Sequence, residues 1–195
     1  MCAVSGVQDT STLQYRQLGF ILAGGLSSRM GQDKSTVSIN GRAMLDIARQ
    51  LLDTAPLHAH YVLGGPYGTF EEQTTHHGPG RAIADVLLQL AESFTGTALF
   101  LPVDMPCLEV KSLEKLLETA KHTQRACFYD NAYFPVAIPI SRQFTSGLKT
   151  LINDKPSVAL RAVLACCNAR SIPFTGHNKE LINVNTRAVA ESLSA

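Results

Sequence analysis

The chain has 195 residues, of which 45% are apolar and 17% are charged, and its formal net charge at pH 7 is +1. This length is enough for one domain with a buried core, and the composition is that of a globular protein. A nearly neutral total does not favour binding to nucleic acid or to an anionic membrane. A polyanionic ligand would therefore have to be held by local cations and backbone dipoles.

The cysteines favour reduced thiols over a disulfide framework or a zinc site. Their number is odd, none forms a CxxC pair, and two are adjacent: Cys2, Cys107, Cys127, Cys166 and Cys167. The pair at 166–167 is predicted to pack in the core. The first residues contain no apolar run after a basic region, and no segment approaches the ~18 consecutive apolar residues of a membrane-spanning helix. We expect a soluble, cytoplasmic protein.

Strands and helices are predicted to alternate along the first part of the chain. Residues 1–16 are polar and are expected to form a loose tail. The apolar run from Leu18 to Ala23 predicts a central parallel strand, covered on both faces. An Asn40-Gly41 turn follows. Short apolar runs predict further strands at 61–63 and 98–101, and helical spacing of apolar residues predicts helices at 42–53, 82–93 and 110–121.

The second half of the chain has a different pattern. Residues 126–129 and 133–140 flank a turn at Asp130-Asn131 and predict an antiparallel hairpin. The remaining predictions are helices at 142–152 and 157–167, an edge segment at 171–173, a strand at 181–186 and a last helix at 187–193. Strand–helix units followed by a hairpin predict a three-layer α/β fold with a mostly parallel mixed sheet, as a single domain over 1–195.

The stretch from Gly19 to Lys34, GFILAGGLSSRMGQDK, has the strongest functional pattern. Glycines let backbone amides approach a phosphate, and Arg29 and Lys34 can neutralise charge that develops at phosphorus. The spacing fits neither a Walker loop, which needs a lysine directly after its last glycine, nor the dinucleotide fingerprint, whose second glycine would replace Leu26. A plain strand-to-helix turn is the alternative, but it would not need the hydroxyls and the cations.

Two later positions have side chains suited to a metal or a polar ligand. Asp104 follows a predicted strand, lies between two prolines, and belongs at the carboxyl edge where open α/β sheets bind ligands. A lone carboxylate there suits Mg²⁺, which takes one or two carboxylates together with substrate phosphates. A helix cap is the alternative. Asn183 and Asn185 could orient a ligand or complete a metal shell, or they could be turn and cap residues beside Thr186.

With these residues located, the sequence resembles the molybdenum cofactor guanylyltransferases, the MobA family. Its opening motif LAGGxSxRMGxDK is matched without a gap by residues 22–34. Its aspartate motif is matched by Val103-Asp104-Met105-Pro106, and its NVNT motif by residues 183–186. The second glycine of LAGG separates the sequence from the related cytidylyltransferases, which tend to have LAAG, and favours guanine.

The resemblance implies a Rossmann-like nucleotidyltransferase fold. It further implies a Mg²⁺-dependent transfer of GMP from GTP to the phosphate of molybdopterin, with release of pyrophosphate. Molybdenum-insertion proteins and molybdoenzyme chaperones would be further partners. By the same resemblance, Lys34 and Arg29 would hold the phosphates and act in catalysis, Asp104 would bind the metal, and Asn183 and Asn185 would act on the metal or pterin side. Nucleotide contacts would come from Leu22, Ala23, Gly24, Gly25, Ser27, Lys34, Glu71 and Asp104.

The sequence also departs from the family pattern. The GPLAG loop appears as Gly78-Pro79-Gly80-Arg81-Ala82, and Leu63-Gly64 stands where the second strand often ends in asparagine. The acidic residue that reads guanine is assigned to Glu71, with Glu72 as the alternative. Two other functions therefore stay open: a nucleotidyltransferase for CTP or a sugar phosphate, and a non-catalytic protein that binds GTP or molybdopterin.

Overall fold

The computed structural model describes residues 15–24, 33–70, 78–130, 132–153 and 155–194. Within these ranges the strands are β1 (Arg16–Leu22), β2 (Ser38–Ile39), β3 (Arg42–Ala43), β4 (Ala59–Leu63), β5 (Gly96–Pro102), β6 (Cys127–Tyr129), β7 (Val136–Ile140) and β8 (Arg170–Ile172). The α-helices are α1 (Met44–Thr54), α2 (Gly78–Leu90), α3 (Val110–Thr123), α4 (Thr145–Ile152), α5 (Leu160–Cys166) and α6 (Arg187–Ser194). Short 3₁₀ turns lie at Lys34–Thr36 and Arg142–Phe144.

The main sheet has six strands in the order β4-β1-β5-β7-β6-β8. β1 pairs in parallel with β4 and with β5, so that Phe20 is opposite Tyr61 on one side and Phe100 on the other. β7 is antiparallel to both of its neighbours, and β8 is parallel to β6. Only β7 runs against the rest, which confirms the predicted mixed, mostly parallel sheet and the predicted hairpin.

Helices cover both faces of the sheet, and this explains the continuous apolar runs of β1 and β5. Phe20 and Phe100 point into a core formed with α2, α4 and α5, whereas Ile21 and Leu101 point into a core formed with α1, α3 and α6. Alternate residues of one strand are therefore buried on opposite sides. The predicted three-layer α/β architecture is confirmed.

The cysteine pair behaves as predicted. Cys167 is fully buried in the core beside α2, α4 and α5, and Cys166 packs against the same core. Burial raises the pKa of Cys167 to about 12, so its thiol stays protonated near neutral pH. None of the helices in the described ranges has the length and apolar character to cross a membrane.

Several predictions about elements are wrong, among them the helix predicted at 157–167, which spans only Leu160–Cys166. The helix predicted from residue 42 begins at Met44, because Arg42 and Ala43 pair with Ile39 and Ser38 in a small hairpin. The helix predicted from residue 82 begins earlier, at Gly78. The strand predicted at 181–186 is irregular chain. That segment touches the end of the sheet through the backbone hydrogen bond from Val184 N to Asp104 O, and one such bond does not make a strand ladder.

Candidate active site

Side chains from the three predicted motifs meet beyond the carboxyl ends of β1 and β5. Lys34 Nζ lies 2.6 Å from Asp104 Oδ2 and 2.6 Å from Asn185 Oδ1. The side chains of Lys34 and Asp104 are 24% and 12% exposed, so the cluster is partly desolvated yet open to a ligand. The carboxylate and the amide oxygen hold the ammonium in a fixed place, where its positive charge can bind a phosphate group.

Lys34 is fixed by the turn that it begins. The side chain of Asp33 accepts a hydrogen bond from Ser35 N at 2.9 Å, and Thr36 Oγ1 donates to Asp33 O at 2.8 Å. These bonds cap the 3₁₀ turn in the way that aspartate caps a helix. Asp33, which the sequence analysis does not name as a candidate, therefore stabilises the turn that orients Lys34.

Asp104 is held by its backbone on both sides. Val103 N donates to Leu22 O at 3.1 Å, which extends the pairing of β1 and β5 beyond the strand, and Asp104 O accepts from Val184 N at 2.8 Å. The N-cap residue of α3 is Glu109, so the alternative that Asp104 caps this helix is not met.

The free oxygen of Asp104 fits a cation. Oδ1 is buried and has no hydrogen-bond partner among the described residues, an arrangement that costs free energy and that a bound metal would relieve. Over those same residues, no three His, Cys, Asp or Glu side chains come together to hold a metal. A cation at Asp104 would therefore draw most of its ligands from substrate and water, as Mg²⁺ commonly does.

The two asparagines differ in their contacts. Asn185 accepts from Lys34, whereas Asn183 is exposed and has no hydrogen bond within the described part of the chain. Thr186 Oγ1 accepts from Val189 N at 3.3 Å and so caps α6. Asn185 is thus the asparagine of this motif that joins the lysine–aspartate pair.

The remaining predicted site residues lie near the end of β1 or outside the described residues. Leu22 and Ala23 are buried, so a nucleotide would meet their backbone and not their side chains. Ala23 N and Gly24 N both donate to Leu63 O, which joins the start of the glycine loop to β4. The others predicted to contact substrate, Gly25, Ser27, Arg29 and Glu71, fall outside the described residues and stay predictions.

Comparison with known proteins gives the family. Residues 19–171 match the family model of the MobA-like NTP transferase domain. The chain belongs to the MobA-like NTP transferase family. Membership makes it a nucleotidyltransferase, so the non-catalytic alternative left open by the sequence is set aside.

Relatives of this transferase agree with the family assignment. A molybdenum cofactor guanylyltransferase from Xanthomonas euvesicatoria pv. vesicatoria is 31% identical over 180 residues, which are 90% of this chain and 93% of the relative. A bifunctional protein GlmU from Nostoc sp. is 29% identical over 152 residues, which are 69% of this chain and 34% of the relative.

Solved structures confirm the nucleotidyltransferase fold. Molybdopterin-guanine dinucleotide biosynthesis protein A from Archaeoglobus fulgidus superposes with a TM-score of 0.70 at 16% identity, over 91% of this chain and 96% of that one. The cytidylyltransferase IspD from Francisella tularensis gives a TM-score of 0.62 at 13% identity, over 91% and 97%. At these identities the likeness concerns the fold.

Gly64, which stands where a family asparagine often occurs, is required by a close backbone approach. Its φ is +74°, and an added Cβ would lie 2.7 Å from Gly24 Cα and 2.9 Å from Gly24 N. The glycine lets the end of β4 pack directly against the backbone of Gly24, near the start of the MobA-like motif.

We expect Gly64→Ala to lower the free energy of unfolding by about 2–4 kcal/mol, because it combines backbone strain with a clash against main chain. Gly41→Ala is the matched control, since Gly41 has φ +79° but nothing within 4 Å of an added Cβ. Urea unfolding of both variants measures the difference, and equal losses would contradict the close-approach explanation.

The altered GPLAG loop forms part of the packing of α2. An added Cβ on Gly80 would lie 2.4 Å from Val158 O. The Nε atom of Arg81 donates to both carboxylate oxygens of Asp85, at 3.0 and 3.1 Å, and Nη1 donates to Lys155 O at 2.6 Å. Arg81 thus ties α2 to the segment after α4, which gives this departure from the family pattern a structural reason.

We expect Asp85→Ala to lower the free energy of unfolding by about 3 kcal/mol, since it leaves the guanidinium of Arg81 largely buried without its carboxylate. The side chains of Arg81 and Asp85 are only 16% and 5% exposed. Glu191→Ala is the control: Glu191 pairs with Arg187 at the same spacing, but those side chains are 67% and 90% exposed. A change below about 0.5 kcal/mol is expected there; similar losses in both variants would refute the packing role.

Proposed function

We propose that this transferase joins the GMP part of GTP to the phosphate of molybdopterin and releases pyrophosphate, with Mg²⁺ as cofactor. The observation that carries the proposal is the Lys34 ammonium held between Asp104 and Asn185 at the carboxyl edge of the sheet. A relative named molybdenum cofactor guanylyltransferase, aligned over 93% of its length, supports the choice of substrates.

The chain's own residues supply alignment and charge. The acceptor phosphate oxygen is ionised near neutral pH, so it can form its bond to the α-phosphorus without a general base as the bond to pyrophosphate breaks. Lys34 neutralises negative charge that develops on the leaving group, and Arg29 is proposed to assist it. Asp104 would hold Mg²⁺, which when bound neutralises charge on the phosphate oxygens.

The two substrates are proposed to bind at different parts of the site, the nucleotide at the motif that follows β1 and the pterin beside Asn183. Leu22, Ala23, Gly24, Gly25 and Ser27 are proposed to hold the base and ribose, and Glu71 to read guanine. Asn185 keeps Lys34 in place, and Asn183, exposed two residues before it, is proposed to face the pterin side. Molybdenum-insertion proteins and molybdoenzyme chaperones are proposed to deliver substrate and to take product.

A panel of nucleotides tests this function. The purified protein is incubated with Mg²⁺, with one of GTP, CTP, ATP or UTP, and with either molybdopterin or a sugar phosphate as acceptor, and pyrophosphate release is measured with and without the acceptor. We expect release only with GTP and molybdopterin together. Release from CTP, or release with a sugar phosphate in place of molybdopterin, would replace the proposal by the related transferase that the shared fold also allows.

A further inference from the structure

Glu180 is a buried carboxylate that the proposed chemistry does not use. It is 2% exposed, and both of its oxygens are occupied. Oε2 accepts hydrogen bonds from Glu109 N at 3.1 Å and from the Ser112 hydroxyl at 2.6 Å, and Oε1 accepts from His177 N at 2.8 Å. A charged group this deeply buried is stable only with such a set of donors.

This carboxylate caps α3 from a distant part of the chain. Glu109 is the N-cap residue of α3, but its own side chain makes no cap hydrogen bond. Glu180, 71 positions later, provides the acceptor and the negative charge that the beginning of a helix favours. The segment that contains Glu180 is thereby fastened to the first turn of α3.

The surroundings of Glu180 are built tightly around it. An added Cβ on Gly176 would lie 2.2 Å from Glu180 Oε1 and 2.6 Å from the Phe174 ring. The Phe174 ring packs edge-on against Tyr129, with centroids 4.9 Å apart, and the Tyr129 hydroxyl donates to Ser112 O at 2.7 Å. Burial raises the pKa of Tyr129 to about 12, so this donor keeps its proton near neutral pH.

Glu180, which is bonded to the start of α3, directly precedes the segment that reaches the candidate active site. Residues 181–186 form no helix or strand, yet within them Val184 N bonds Asp104 O and Asn185 Oδ1 accepts from Lys34 Nζ. No ladder of backbone bonds sets the path of this segment. Its path is set by Val184 in its middle, which is fully buried in the core, and by its two ends, which are Glu180 on one side and α6 on the other.

We propose that Glu180 is a positioning residue of the transferase, which holds the 181–186 segment so that Asn185 orients Lys34 beside Asp104. The expected effect of Glu180 on the rate rests on the proposed function. Its expected effect on the order of the 181–186 segment does not. Glu180 acts through Asn185 and does not itself touch the substrate.

The structural consequence is tested by amide hydrogen exchange, which needs no activity. Glu180→Gln keeps the size of the side chain but sets an amide group against at least one of the donors. We expect exchange in peptides covering 181–186 to rise about tenfold or more, while exchange in β5 stays unchanged. Glu191→Gln, at an exposed carboxylate, is the matched control and should leave both unchanged. Unchanged exchange at 181–186 in Glu180→Gln would overturn the proposal.

The kinetic consequence is tested by a double-mutant cycle with Asn185→Ala. We expect Glu180→Gln to lower kcat about tenfold in the otherwise unchanged protein, and less than about twofold when Asn185 is already alanine. If Glu180→Gln lowers kcat by the same factor with Asn185 and with alanine at that position, the proposal is overturned. Such a result would mean that Glu180 acts through general stability and not through Asn185. Ser112→Ala, which removes one donor, repeats the cycle if Glu180→Gln does not fold.

The two tests distinguish a failure of the proposed function from a failure of the positioning role of Glu180. If the unchanged protein transfers no nucleotide, the proposed function fails while the exchange measurement still decides the positioning role. If it transfers GMP but the cycle is additive, the proposed function stands and the role of Glu180 is refuted.

Discussion

Asp104→Asn should lower kcat by ~10²-fold or more, the usual size of the loss when a preorganised charge is removed from a transition state. The substitution keeps the shape of the side chain but removes the charge that pairs with Lys34 at 2.6 Å and that would hold Mg²⁺. It also weakens the carboxylate that would bind the metal beside Lys34. Initial rates at saturating GTP and molybdopterin, over a range of Mg²⁺ concentrations, measure the effect.

The control for this variant is Asp53→Asn. Asp53 is a carboxylate on α1 that lies 2.8 Å from His60 and is 66% exposed, so its loss should leave kcat unchanged. A rate for Asp104→Asn close to that of the unchanged protein, with the same Mg²⁺ dependence, would remove Asp104 from the site.

Lys34→Ala is the second large loss that we expect, again ~10²-fold or more in kcat. The alanine removes the positive charge opposite the leaving pyrophosphate and leaves Asp104 and Asn185 without the ammonium that both accept from. Lys149→Ala, at an exposed lysine of α4, is the control and should keep the full rate. Steady-state kinetics with GTP and molybdopterin measure both variants.

The combination of the two substitutions gives a further test. Because Lys34 and Asp104 are in direct contact, the loss in the double variant should be much smaller than the product of the single losses. A kcat loss in the double variant equal to the product of the two single losses would mean that the two side chains act independently, contrary to their direct contact.

The sheet and the lysine–aspartate pair could be predicted because their signals are local. The apolar runs of β1 and β5 indicate strands buried on both faces, and the carboxyl ends of adjacent parallel strands meet at one edge. Asp104 follows such a strand directly and is therefore predicted at this edge, whereas Lys34 is assigned to the same site by the motif resemblance. The structure places their charged atoms in contact.

The parts that the sequence did not predict depend on contacts between distant residues. The apolar spacing of Leu181 to Val184 predicts a strand, but the only backbone partner that the described residues give Val184 N is Asp104 O, in a distant part of the sequence. Glu180 resembles a surface glutamate in the sequence, because the two donors to its Oε2 atom lie 68 and 71 positions away. A helix that is capped from elsewhere in the chain has no signature at its own N-terminus.

A crystal structure with GTP and Mg²⁺ bound is the most direct test of the site. We expect Lys34 Nζ within hydrogen-bond distance of a phosphate oxygen, and an Asp104 oxygen about 2.1 Å from the metal. We also expect the guanine beside the loop that follows β1. A triphosphate bound away from Lys34, or a metal held without Asp104, would contradict the assignment of this cluster as the site of nucleotidyl transfer.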